Sequence, residues 1–152
     1  MSTLDEVILH PIHLARRFVT SLPPTPPSPP DEAWADEHLL DGERALWIEM
    51  NNRDRRHSIA VARRFVAARP GASRAEVAGA LLHDVGKIEC DLGTFGRVVA
   101  TLVGPRTERF RIYHDHEAIG ARLAADAGSD EATVALVDER GPTYPTLKVC
   151  DY

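Results

Sequence analysis

Apolar residues recur at helical spacing along most of the chain, and helix-capping and helix-breaking residues divide this pattern into segments. One segment covers residues 53–69 and is ended by Pro70. The next opens at Ser73, which with Glu76 has the spacing of a capping box, and it is expected to end by Gly86. Both segments are typical of amphipathic helices.

The remaining segments indicate the same fold class. Helices are also expected at residues 1–21, in one or two pieces within 31–50, around 98–103, at 114–127, from Ser129 or Asp130 through Val137, and at 146–152. Only residues 109–113 alternate between polar and apolar positions as a strand does, and one short strand makes no sheet. The pattern predicts an all-α fold.

A proline-rich segment divides the chain. Residues 22–30 read Leu-Pro-Pro-Thr-Pro-Pro-Ser-Pro-Pro, a composition that forms an extended spacer. The predicted organisation is therefore an N-terminal helix at 1–21, a Pro-rich linker at 22–30 and a helical domain at 31–152. The 152 residues suffice for one hydrophobic core.

The composition of the chain limits the classes of binding partner and the cellular location that can be expected. The net charge of −5 argues against a protein that binds a nucleic acid polymer, because neutralising phosphates takes a dense basic face. No apolar run is long enough to predict a membrane span, and the first residues do not have the pattern of a secretory signal. Only two cysteines are present, which favours a reducing compartment. A cytoplasmic location is expected.

One acidic side chain is predicted to point toward the core. Asp84 follows Leu81 and Val77 at spacings of three and seven residues, so on a helix it would share their apolar face. A buried carboxylate is costly unless a partner charge or a metal ion compensates it. Asp84 is therefore expected either to pair with an arginine or to bind a metal.

Histidines favour the metal interpretation. His57 borders the apolar stripe of the helix at 53–69. Adjacent residues such as His83 and Asp84 diverge by about 100° on a helix. They can share one ion only near a helix end, where Gly86 is expected to place them. Two neighbouring helices could then present imidazole and carboxylate groups to one buried point.

Two further positions have weaker signals. His116 precedes Ile119 at helical spacing and is expected to face inward, either as a metal ligand or as a core histidine bonded to a carbonyl. His114 would lie on the opposite face of that helix. Asp151 follows Leu147 by four residues, which also directs it inward.

Taken together, these residues resemble the HD-domain superfamily of metal-dependent phosphohydrolases. The resemblance rests on His57, on the His83-Asp84 doublet followed by Gly86 and Lys87, and on a distant aspartate. It covers the chain from about residue 35 onward and implies a bundle of five or more helices. Neither the N-terminal helix nor the Pro-rich linker belongs to it.

The resemblance also implies roles for individual residues. Four residues match the metal ligands: His57, His83, Asp84 and Asp151. Asp138 is the alternative for the last of them. Lys87 matches a basic residue near the substrate phosphate, and His116 matches a position that supplies a ligand for a second metal in binuclear members. The further histidines of those members are missing here, so the sequence predicts a mononuclear site.

The predicted cofactor is one divalent transition metal, because nitrogen and carboxylate donors together suit Mn, Fe, Co, Ni or Zn better than Ca. Such an ion activates water and polarises a phosphoryl group. The predicted activity is hydrolysis of a small phosphorylated metabolite, such as a nucleotide, with Asp84 and Lys87 as catalytic residues. Substrate phosphate would contact Lys87, His116 and Arg56, with Arg53 and Arg55 as alternatives to Arg56. A metal-stabilised regulatory or scaffold domain and a di-iron oxygenase are the competing hypotheses.

Overall fold

The computed structural model describes residues 25–89 and 116–152, and within these two ranges every regular element is helical. There are seven α-helices: α1 (Pro29–Asp36), α2 (Asp41–Glu49), α3 (Asn52–Ala68), α4 (Arg74–Leu81), α5 (His116–Asp126), α6 (Glu131–Val137) and α7 (Tyr144–Cys150). A 3₁₀ helix covers Val85–Glu89. The all-α prediction is confirmed for these residues. The elements expected at 1–21, 98–103 and 109–113, together with His114, lie outside the described ranges.

Local caps begin the helices near the expected positions. The Ser73 hydroxyl accepts a hydrogen bond from the Glu76 N–H at 3.2 Å, as the spacing of these residues predicts. Ser28 caps α1 in the same way, 3.3 Å from the Asp31 N–H. Helix α1 therefore begins at Pro29, inside the segment predicted to be an extended linker. The fixed φ of proline suits the first turn of a helix, where its missing N–H costs no hydrogen bond.

The helices enclose one core. Its largest fully buried side chains include Trp47, Phe65, Leu81, Leu82 and Leu136. Helix α4 packs against α3 and α6, α5 packs against α6 and the 3₁₀ helix, and α7 packs on α3. None of the helices in the described part of the chain has both the length and the apolar character needed to cross a membrane.

Two helix ends differ from the sequence prediction, and both differences shape the site. Helix α4 ends at Leu81, not near Gly86, because the next hydrogen bonds tighten: the Val85 N–H bonds to the Leu82 carbonyl three residues back. His83 and Asp84 therefore lie in the turn between α4 and the 3₁₀ helix.

Helix α7 begins and ends earlier than the predicted segment 146–152. It starts at Tyr144, with a proline in its first turn, and its last helical residue is Cys150. Asp151 is the residue that follows the helix, with backbone angles φ −86° and ψ 81°. This aspartate is thus presented by a turn and not by a helical face.

The 3₁₀ helix approaches α5 backbone to backbone. A Cβ atom added to Gly86 would lie 1.9 Å from the carbonyl oxygen of His116, and one added to Gly120 would lie 3.0 Å from the Gly86 nitrogen. No side chain fits at Gly86 without displacing the start of α5. This contact brings His116 close to the turn that carries Asp84.

Candidate metal centre

Three side chains from distant parts of the chain meet at one point. His57 comes from α3, His83 from the turn after α4, and Asp151 from the turn after α7. One ligand atom from each lies within 4.8 Å of the other two. The His57 Nε2 atom is 2.8 Å from Asp151 Oδ1, and the His83 Nε2 atom is 3.7 Å from that oxygen. Two imidazole nitrogens and a carboxylate oxygen therefore converge.

A hydrogen bond to the backbone fixes the orientation of the His83 ring. Its Nδ1 atom lies 2.7 Å from the Ala80 carbonyl oxygen, which can only accept, so Nδ1 carries the proton. The opposite nitrogen, Nε2, is buried and has no hydrogen-bond partner in the described part of the chain. A buried nitrogen without such a partner is what a metal ligand presents before an ion binds.

Electrostatics at the centre favour a positive charge. Burial opposes protonation of His83, but the nearby carboxylates of Asp84 and Asp151 outweigh it and raise the pKa of His83 to about 9. Burial likewise opposes ionisation of Asp151, yet the hydrogen bond with His57 and the nearby imidazole of His83 lower its pKa well below the usual range. The centre thus holds ionised carboxylates beside an imidazole that gains a proton easily.

Asp84 borders this cluster and is not one of its three members. Its carboxylate is buried, with Oδ2 3.5 Å from His83 Nε2 and 2.9 Å from Lys87 Nζ. The His116 Nε2 atom lies 3.4 Å from Oδ1. Burial raises the pKa of Asp84, but the charges of Lys87 and His83 more than compensate and hold it well below its usual range. The partner cation is a lysine three residues on, where the sequence suggested an arginine.

The other predicted residues occupy different places. Asp138, the alternative last ligand, lies outside the cluster and accepts a hydrogen bond from Arg140 Nε at 2.8 Å. The Arg56 guanidinium hydrogen-bonds to the hydroxyl and the carbonyl oxygen of Thr25 in the Pro-rich segment. Arg55 pairs with Glu32 at 2.6 Å.

One residue next to the cluster was missed by the sequence reasoning. Arg64 on α3 reaches the segment around Asp151, where its guanidinium donates to the backbone oxygens of Cys150 and Tyr152. The signal for it was its spacing: Arg64 lies seven residues, or about two turns, after His57 and so shares its helix face.

The donor set fits a transition-metal ion. Two histidines and Asp151, with the Asp84 carboxylate beside them, combine borderline nitrogen and hard oxygen donors, which suit Mn, Fe, Co, Ni and Zn. Within this donor set, the buried Nε2 of His83 has no hydrogen-bond partner among the described residues. Comparisons of the chain with protein-family models, with curated proteins and with solved structures found no match.

Proposed function

We propose that this chain is a metal-dependent phosphohydrolase that acts on a small phosphate ester, such as a nucleotide. The observation that carries the proposal is the convergence of His57, His83 and Asp151 on one point, with the Asp84-Lys87 pair next to it. The proposal includes a helical bundle of the HD-domain type, supported by the His-Asp doublet in the turn after α4 and by the aspartate that follows α7.

The proposed metal ligands are His57, His83, Asp84 and Asp151. The first, second and fourth already lie together, and Asp84 Oδ2 is 3.5 Å from His83 Nε2. A divalent ion held there would supply Lewis-acid activation of a phosphoryl group and of water. His83 is kept in the correct tautomer by its bond to the Ala80 carbonyl, since a metal needs the unprotonated Nε2.

Basic side chains around the cluster would bind the phosphate. Lys87 holds Asp84 in place and adds positive charge at the rim of the cluster. Arg53 lies one turn before His57 on α3, and its Nε atom is buried without a hydrogen-bond partner among the described residues. Arg56 would have to exchange its contact with Thr25 for the substrate. The proposed phosphate-binding residues are therefore Arg53, Arg56, Lys87 and His116.

Metal titration paired with an activity screen tests the proposal. The full chain, freed of metal by chelation, would be titrated calorimetrically with Mn²⁺, Co²⁺, Ni²⁺ and Zn²⁺, then assayed for phosphate release from nucleoside mono-, di- and triphosphates. We expect one tightly bound ion per chain and metal-dependent hydrolysis. His57→Ala should abolish both.

The matched control is His38→Ala, which removes a histidine that bonds to the Trp34 carbonyl and lies outside the cluster. It should retain metal binding and hydrolysis. Folded protein that binds no metal would overturn the proposal. Tight binding without hydrolysis of any substrate would favour the scaffold hypothesis. Two irons per chain, measured in the protein as purified before chelation, would favour the di-iron oxygenase.

A further inference from the structure

Asp151 is the central residue of a tight turn. Its angles, φ −86° and ψ 81°, lie close to those of an inverse γ-turn, and the Tyr152 N–H closes the turn on the Cys150 carbonyl oxygen at 3.1 Å. The Asp151 N–H still bonds to Leu147 in α7 at 3.1 Å. The direction of the Asp151 carboxylate is therefore set by the backbone of this turn.

The guanidinium of Arg64 hydrogen-bonds to both ends of the turn. Its Nη1 atom donates to the backbone oxygens of Cys150 at 3.0 Å and Tyr152 at 2.9 Å. Its central carbon lies 3.9 Å from the centroid of the Tyr152 ring, within the range of a cation–π contact. These hydrogen bonds go to backbone oxygens on either side of Asp151, so the contact restrains the conformation of the turn.

A single helix holds Asp151 from two directions. On α3, His57 hydrogen-bonds to the Asp151 carboxylate. Arg64 lies about two helical turns after His57 on the same face and hydrogen-bonds to the backbone of the turn at Asp151. The rise between them is about 10 Å at 1.5 Å per residue. Helix α3 therefore contacts both the carboxylate of Asp151 and the backbone of the turn that carries it.

We propose that Arg64 is a positioning residue that sets the metal affinity of the site by fixing the turn that carries Asp151. This inference rests on the metal site of the proposed function. A carboxylate on an unrestrained turn would lose conformational entropy when it joins His57 and His83, and the contacts of Arg64 remove that cost in advance. Outer contacts of this kind typically change metal affinity by about 10–100-fold.

The test compares two adjacent arginines of α3. Arg64→Ala removes the contact with the turn, whereas Arg63→Ala removes a similar set, since Arg63 stacks over Trp34 at 4.4 Å and pairs with Asp31 at 2.8 Å. In the full chain, Co²⁺ affinity would be measured by calorimetry. We expect Arg64→Ala to weaken binding about 10–100-fold. Arg63→Ala should leave it within about twofold, as expected for a contact away from the ligands.

A second readout separates positioning from general destabilisation. The visible absorption of the Co²⁺ complex reports ligand geometry, and it should change in Arg64→Ala but not in Arg63→Ala. Arg64→Lys keeps the charge but cannot reproduce the planar stacking, so its affinity should lie between those of wild type and Arg64→Ala. Should Arg64→Ala fail to fold, Arg64→Lys and Tyr152→Ala carry the same comparison.

The possible failures differ. Wild type that folds but binds no Co²⁺ overturns the proposed function and this inference with it. Wild type that binds Co²⁺ and loses it in Asp151→Asn, while Arg64→Ala binds with unchanged affinity and spectrum, overturns the positioning role alone. Equal losses in the Arg63 and Arg64 variants would also overturn it, because the effect would then belong to helix α3 as a whole.

Discussion

The side chains of His57 and Asp151 are in hydrogen-bond contact, with 2.8 Å between Nε2 and Oδ1, although 94 residues separate them in the chain. The contact joins the first turns of α3 to the turn after α7. It can form only when those two helices have packed, because no local structure can bring two residues so far apart in the chain into contact. The cluster is therefore a product of the tertiary fold, and its chemistry should report on the integrity of that fold.

Chelation should lower thermal stability. An ion that binds only the folded chain stabilises it by about 2.7 kcal/mol at 100 times its Kd. For a chain of this size that corresponds to about 5–10 °C in melting temperature. Addition of EDTA to the metal-loaded protein should remove this increment in a calorimetric scan.

Two matched variants check where the chelator acts. Asp151→Asn should melt at the same temperature with and without EDTA, because the amide replaces a ligand of the cluster. Asp138→Asn changes the carboxylate that pairs with Arg140, and it should keep the full response. The reverse pattern would move the last ligand from Asp151 to Asp138.

The stability of the metal-free chain should decrease between neutral and alkaline pH. The pKa of His83 is raised from 6.5 to about 9 in the folded state, so the folded chain retains a proton that the unfolded chain releases. The resulting stabilisation is complete below pH 6.5 and is lost as the pH rises through about 9. Urea unfolding in EDTA at several pH values measures it.

Metal binding should follow the opposite trend. An ion competes with the proton on His83, so its affinity should increase by about tenfold per pH unit at neutral pH and level off above about 9. Calorimetry in buffers of different ionisation enthalpy counts the released proton. A metal affinity independent of pH below 9 would remove His83 from the ligands.

Lys87→Met should destabilise the chain through Asp84. The Lys87 ammonium lies 2.9 Å from the buried carboxylate, and removing one partner of such a pair costs about 3–5 kcal/mol. His83 and His116 also face that carboxylate, so we expect a loss near the lower value, about 3 kcal/mol. Denaturant unfolding of the chelated protein gives the number.

The coupling of this pair is checked by a double-mutant cycle. Asp84→Asn removes the charge that Lys87 neutralises, so the double variant should lose less stability than the sum of the single variants. Strict additivity would mean that the ion pair does not form in solution.

His116→Ala should separate metal binding from turnover. The His116 Nε2 atom lies 3.4 Å from Asp84 Oδ1 and is not a member of the three-residue cluster. Metal content should therefore stay near one ion per chain, while hydrolysis or substrate affinity decreases. Two ions per chain, with the loss of one in this variant, would contradict the mononuclear prediction.

Local signals were sufficient for the boundary between α3 and α4. The capping box at Ser73 and the break at Pro70 lie where the structure ends α3 and begins α4, because both depend on residues close in sequence. The expectation that the doublet of His83 and Asp84 lies near a helix end also agrees with the structure. The reason given for the burial of Asp84 was wrong, since it assumed a helical face that the chain has already left at this residue.

Contacts between segments that lie far apart in the chain could not be predicted from the sequence. Helix α4 ends at Leu81, and the chain continues through a turn into the 3₁₀ helix, which packs on α5. No residue in that turn signals the change. The contact between Arg56 and Thr25 depends on how the Pro-rich segment lies across α3. The contact of Arg64 with the turn at Asp151 likewise joins residues 86 and 88 positions apart.

The contact between Gly86 and Gly120 has a consequence for the evolution of this chain. A Cβ atom at Gly86 would meet backbone atoms of His116 and Gly120, and backbone cannot be trimmed by mutation to make room for a larger residue. A Cβ atom at Gly120 would meet the Gly86 nitrogen and the side chains of Val85 and Val137 at 3.0–3.2 Å, which is a milder conflict. A substitution at Gly86 therefore has no compensating side-chain substitution on α5. Distant relatives that retain this geometry should keep a glycine at the position of Gly86 even where their ligands and surfaces have diverged, which makes this residue a marker for recognising them.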